Sequence, residues 1–154
     1  NIKYITLFTL SSENFKRKSI DIIYKIILDN FDNFINKIIN EKKIKLIISM
    51  HSFNPYFKGK KRKTEIGILS NKDRRYSDLL IRQMAKSKRY IIGDNVPYKG
   101  ELKDDTLYKH GLKKNILHTL IEVRNDLINT EIKVNKMSQF IVSSLNTINK
   151  ELSL

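Results

Sequence analysis

At 154 residues the chain is long enough for one hydrophobic core and too short for two ordinary domains, so a single domain over 1–154 is expected. It has no cysteine, which excludes disulfides and thiolate metal ligands. The net charge of +14 raises the question of an anionic partner.

The charge is Lys-dominated and spread through every segment, and Ile and Asn are abundant beside it. That is the pattern of compositional drift rather than of a phosphate-binding surface. One dense cluster stands out, Lys58-Gly59-Lys60-Lys61-Arg62-Lys63. As a bare pattern it passes for a nucleic-acid patch, but such runs are usually solvated loop. A nucleic-acid partner is therefore not expected, and a basic nucleic-acid or anion-binding module stands as an alternative. No apolar run approaches the roughly 18 residues needed to cross a bilayer, and no signal-peptide pattern opens the chain. A cytoplasmic protein without a membrane partner is the expectation.

In chain order, residues 2–10 lean toward a strand. Ser11 or Ser12 reads as a helix N-cap. Apolar residues at Ile20, Ile23, Ile27, Phe31, Phe34 or Ile35, and Ile38 predict an amphipathic helix over 14–40. A polar turn leads to a strand over 44–50, which presents His51 at its carboxyl end. A loop with Pro55 and the basic cluster follows, then a strand over 64–69. Asn71-Lys72-Asp73 breaks the chain before a helix to about 87, with Tyr76, Leu80 and Met84 on one face. A short strand over 90–93 leads into the turn-rich loop 94–100. Residues 105–110 are ambiguous, and Gly111 is read as a break before a strand over 117–123. The last helix, 132–152, carries Met137, Ile141, Leu145 and Ile148 on one stripe. Strands alternating with helices predict an α/β fold with a mixed or mostly parallel sheet flanked by helices.

Two stretches carry chemistry. Leu46-Ile47-Ile48-Ser49-Met50-His51-Ser52-Phe53-Asn54-Pro55 is an apolar run that ends in an imidazole and an Asn-Pro turn. Leu117-His118-Thr119-Leu120-Ile121-Glu122-Val123-Arg124-Asn125-Asp126 is a second run, carrying Glu122 and Arg124. Open α/β sheets collect ligands at the carboxyl ends of their strands. A histidine on one strand end and a glutamate on another are the parts of a metal-assisted hydrolase. Both are expected to face one cleft. His118 is read as structural.

These stretches belong to an ordered set: His51-Ser52-Phe53-Asn54-Pro55, Gly59, Arg62, Gly67-Ile68-Leu69, Gly93-Asp94-Asn95-Val96-Pro97-Tyr98, His110-Gly111 and Ile121-Glu122-Val123-Arg124-Asn125-Asp126. The set resembles the N-formylglutamate amidohydrolase family, whose fold is similar to that of the zinc carboxypeptidases. The resemblance implies hydrolysis of N-formylglutamate or a related N-acyl amino acid, a small-molecule substrate. It implies His51 as a zinc ligand, at the usual distance of about 2.0–2.1 Å, and Glu122 as the catalytic carboxylate. Arg124 would orient Glu122 or neutralise the oxyanion. Arg62, Asn95 and Tyr98 would bind substrate, Arg62 as a bidentate partner for a carboxylate, and His110 would hold substrate or support the site from behind it; the alternative for Asn95 and Tyr98 is turn chemistry. Two local departures are Val96, where the family carries an acidic residue, and Asn115-Ile116-Leu117 in place of a Gly-Leu-Pro turn. The family's early region, with its other metal ligands, is not in this sequence. The chain is therefore expected to be the carboxyl-terminal portion of a longer amidohydrolase, its remaining zinc ligands lying outside it. The competing expectation is a catalytically inactive homologue.

Overall fold

A computed structural model of the protein describes residues 4–8, 20–100 and 105–154. Strand β1 is Tyr4–Phe8, helix α1 Ile20–Lys42 and strand β2 Leu46–Phe53. A small antiparallel hairpin follows, β3 at Tyr56–Phe57 and β4 at Lys60–Lys61. Then come β5 (Ile66–Leu69), α2 (Arg75–Lys86), β6 (Ile92–Asp94), a π-helical segment (Leu107–Leu112), β7 (Leu117–Arg124) and α3 (Glu131–Glu151). The main sheet has the order β1-β2-β7-β5-β6. All its neighbours run parallel except β5 and β7, which are antiparallel. The fold is α/β with a mixed, mostly parallel sheet flanked by helices, as the alternation of patterns predicts. The helix start expected at 14 lies outside the described residues. No helix among them is long and apolar enough to cross a membrane.

Because strand side chains alternate between faces, β2 and β7 each divide cleanly. Leu46, Ile48, Ile121 and Val123 join Ile66 and Ile68 against α2 and α3, where Tyr76, Leu80, Met84, Met137 and Phe140 complete the larger core. The opposite face is smaller: Ile47 meets Ile35, Ile39 and Ile44, with Leu107 from the π-helical segment. Each side chain taken fully out of water contributes about 1.5–3 kcal/mol, so these two clusters fix the order of the layers. The choice left open at Phe34 or Ile35 resolves to Ile35, which is buried while Phe34 is exposed. Helix α3 begins one residue earlier than the spacing predicts, since Thr130 caps it by accepting a hydrogen bond from the Lys133 amide.

Two local departures from the sequence reading shape the site. Strand β2 does not stop at Met50 but continues through Phe53, held in parallel register with β7 from Leu46↔Leu117 to Phe53↔Arg124. His51 therefore lies within a strand, its orientation set by the pleat. Gly111 likewise does not break the chain. It lies inside the π-helical segment, where a Cβ would run into the His118 ring. The expected break is a close approach between backbone and side chain.

Candidate active site

Register brings the site together. His51 on β2 and Glu122 on β7 are direct neighbours in the parallel pair, and both belong to the alternation that includes Ile47, the face packed by α1. At this carboxyl end of the sheet, the His51 Nδ1 lies 3.7 Å from the Glu122 Oε1. The floor beside them is Gly67 of β5, which pairs with Glu122 across the antiparallel ladder. A Cβ at Gly67 would collide with the Val96 carbonyl oxygen and touch the Glu122 Cβ. Only glycine lets loop 94–100 close over that carboxylate.

Glu122 is 5% exposed, and its Oε2 has no hydrogen-bond partner among the described residues. Burial pushes its carboxyl up to about 7, opposed by the positive charge of Arg62. Burial also holds the His51 imidazole below its ordinary value, against the pull of the Asp105 carboxylate. The pair is thus a neutral imidazole beside a carboxyl group poised near neutrality, chemistry suited to moving a proton.

Arg62 reaches the site from the strand-like arm after the hairpin. Its Nη1 donates to the Asn54 carbonyl at 3.1 Å and to the Tyr98 hydroxyl at 3.2 Å. Loop 94–100 thus brings Tyr98 to Arg62. Asn95 serves the loop itself, the turn chemistry that stood as the alternative for it. With φ at +51°, its Oδ1 accepts the backbone amides of Ser70 and Gly100, each at 3.0 Å. That oxygen pins the loop, and Asn tolerates this left-handed conformation better than most residues.

Arg124 also departs from expectation. It shares a strand face with Glu122, yet its guanidinium turns to other partners. Nε donates to Asp126 at 2.7 Å, Nη2 to Glu65 at 3.2 Å, and Nη1 to the carbonyls of Arg62, Lys63 and Thr64 at 3.0, 3.4 and 3.3 Å. Two carboxylates and three carbonyls outcompete a Glu122 that is held close to its neutral form. Arg124 anchors the segment that delivers Arg62.

His110 pairs with a carboxylate of α1. It is buried on the π-helical segment, and its Nε2 donates to the Asp32 Oδ1 of α1 at 2.8 Å. Lys109 adds a second contact to the other oxygen of Asp32, also 2.8 Å. Burial would raise the Asp32 carboxyl, but hydrogen bonds from Lys109 and His110 outweigh it and hold the group below its ordinary value. A lowered carboxyl stabilises the fold above its unfolded value of 3.8 and loses that contribution as acid protonates it. The Asp32→Asn protein should therefore be less stable than the parent at pH 7, by about 1–3 kcal/mol. The gap between the two should narrow on acidification below pH 4, and thermal melts at stepped pH measure it. A gap that widened on acidification would contradict this assignment.

Asp105 is the site residue that the sequence reading missed. Its Oδ1 accepts the Tyr108 amide at 2.6 Å, and burial raises its carboxyl. The same carboxylate acts electrostatically on both His51 and His118. Its only sequence signal was Asp105-Thr106 ahead of an apolar residue, the usual sign of a helix start. His118 is buried, with Nδ1 donating to the Ile116 carbonyl at 2.8 Å, a structural placement.

A family model for N-formylglutamate amidohydrolase matches residues 20–129. The chain belongs to the N-formylglutamate amidohydrolase family. Every site residue named above falls within the matched stretch. Among solved structures, the protein is similar to gene product Atu2144 from Agrobacterium tumefaciens, with 28% identity and a TM-score of 0.65 over 78% of this chain. That alignment covers 51% of the other protein, so the chain spans about half the length of the solved relative. No curated protein matches it.

N-formylglutamate amidohydrolases are hydrolases, and in this member of the family His51 and Glu122 lie side by side. Zinc is a separate matter. A catalytic zinc centre takes about three protein ligands, and the described residues hold no group of three His, Cys, Asp or Glu that could bind a metal ion. His51, kept neutral by burial, suits one ligand position. By themselves, the described side chains do not complete the centre.

Proposed function

We propose that the chain forms the proton-transfer half of a metal-dependent amidohydrolase acting on N-formylglutamate or a related N-acyl amino acid. The supporting observation is the His51–Glu122 pair, 3.7 Å apart on adjacent parallel strands in a member of this family. Glu122 takes a proton from the attacking water and returns it to the leaving amine as the C–N bond breaks. Formate and the amino acid leave. A carboxyl group with a pKa of about 7 suits both directions of that transfer.

Arg62 pairs with a substrate carboxylate through the parallel N–H groups of its guanidinium. Tyr98, hydrogen-bonded to Arg62, would offer its hydroxyl to the developing oxyanion. Asn95, His110 and Arg124 act from behind: Asn95 holds the loop of Tyr98, Arg124 holds the backbone of Arg62, and His110 ties the π-helical segment to α1. Zinc held by His51 and by donors beyond the described residues would lower the pKa of a bound water to about 7. A cytoplasmic location belongs to the same proposal.

The test uses the complete gene product that contains this chain. Zinc content near one ion per protein, and formate released from N-formylglutamate, are expected. A folded protein with neither zinc nor formate release would overturn the proposal in favour of a catalytically inactive homologue.

A further inference from the structure

Arg62 is held in an unusual way for a residue beside a basic loop. Three aromatic rings from three separate segments converge on its guanidinium. Phe53 at the end of β2 lies 5.5 Å away, Phe57 of the β3–β4 hairpin 5.1 Å, and Tyr98 of loop 94–100 also 5.1 Å, each measured to the ring centroid. These distances fall within the range of about 6 Å over which a cation is attracted to a ring face. Hydrogen bonding adds one more constraint, since Nη1 donates to both Asn54 and Tyr98. Among the described residues, Nε and Nη2 donate to nothing. The guanidinium is thus gripped by its faces and one nitrogen, with its other donors unused.

Phe53 is buried, as a strand-end residue in a core would be. Phe57 is different: it is 57% exposed and sits on a two-residue strand whose partner is Lys60–Lys61. Folding gains little from leaving a large apolar ring there. Both aromatic residues of the hairpin, Tyr56 and Phe57, are exposed, and the Phe57 ring lies 5.1 Å from the Arg62 guanidinium and 5.6 Å from the Lys58 ammonium, so the hairpin is placed to hold that arginine.

We propose that Phe57 is a positioning residue for Arg62, so that the β3–β4 hairpin presents the unused guanidinium donors to a carboxylate of the ligand. This rests on Arg62 being the carboxylate partner at the site, and it assigns the hairpin a role there. The rings restrict the side chain before the ligand arrives. Rotamer freedom that Arg62 would otherwise lose on binding is then already lost in the free protein. Arginine tolerates this arrangement because a planar guanidinium can stack and hydrogen-bond at once, which a lysine ammonium cannot do.

The experiment is a titration of glutarate, a plain dicarboxylate with no amide to cleave, into the complete gene product followed by calorimetry. The parent protein is expected to bind it, and Arg62→Ala to abolish binding. Phe57→Ala should weaken binding about two- to fivefold, the size of a lost cation–ring contact at an exposed site. Phe57→Tyr, which keeps the ring, should restore it. Thermal melts of the Phe57 variants should match the parent, because an exposed ring is not part of the core. Equal affinity in the parent and Phe57→Ala would overturn the proposal. So would a failure of Phe57→Tyr to restore binding, or no binding by the parent. Formate release plays no part in the titration, so a protein that binds glutarate but does not hydrolyse N-formylglutamate fails the hydrolase reading alone.

Discussion

Replacing Glu122 by glutamine in the complete gene product should cut formate release by about a hundredfold to ten-thousandfold, while leaving the fold intact or stronger. Glutamine copies the shape of the side chain and its pairing position on β7 but cannot take or return a proton. Stability should move the other way. The Glu122 carboxyl is raised from 4.5 to about 7 in the fold, so the folded protein resists ionising it. A raised carboxyl costs stability progressively as pH climbs from its unfolded value through its folded one, and the full cost is reached above both. In metal-free protein above pH 7 the substitution should therefore stabilise, by an amount on the order of 3 kcal/mol at most. Below pH 4.5, where both states are protonated, the two proteins should differ little. Activity assays and thermal melts across pH read both effects. Retained activity would remove Glu122 from the chemistry. Lost activity with an equally lost fold would show only that the residue is structural.

Arg124→Met should be the most damaging single change to stability, by about 3–5 kcal/mol. The residue is 6% exposed, and its side chain donates five hydrogen bonds to segment 62–65 and Asp126, beside one backbone bond from its amide to the Glu65 carbonyl. Removing it leaves Glu65 and three carbonyls facing a buried apolar chain. A melting temperature lower by about 10 °C is expected for a protein of this size. Arg124→Lys should recover little, since one ammonium cannot reach partners spread around a planar fork. Because Nη1 also holds the Arg62 carbonyl, substrate affinity should fall along with stability. A melt unchanged from the parent would show that these bonds are made as well by water.

The same two residues show where sequence reasoning reaches and where it stops. Both sit two apart on one strand, and period-two alternation correctly puts them on one face. Alternation says nothing of where the end of a long side chain goes. Glu122 is short, so its carboxylate stays where the strand points it, beside His51. Arg124 is long and flexible, and its destination depends on a carbonyl-rich segment that is 59 to 62 positions earlier in the chain. Asn95 shows the same boundary: its place in a turn is legible, but its two amide partners, Ser70 and Gly100, are not. The hairpin at Tyr56–Phe57 was hidden inside a basic run, because two-residue strands leave no periodicity to read.

The amino-acid pattern alone determined the alternation of strands and helices, the core-facing residues of α2 and α3, and the ordered motifs that mark the family. Those features are local: a period of two or 3.6 and the spacing of polar breaks record which side of an element meets the core. Tertiary structure decided the register that sets His51 against Glu122, the glycine contact that lets loop 94–100 close over the carboxylate, and the ring cluster around Arg62. Each of these needs segments distant in the chain to meet within a few ångströms. That meeting is fixed by packing of the whole sheet rather than by any one stretch of it.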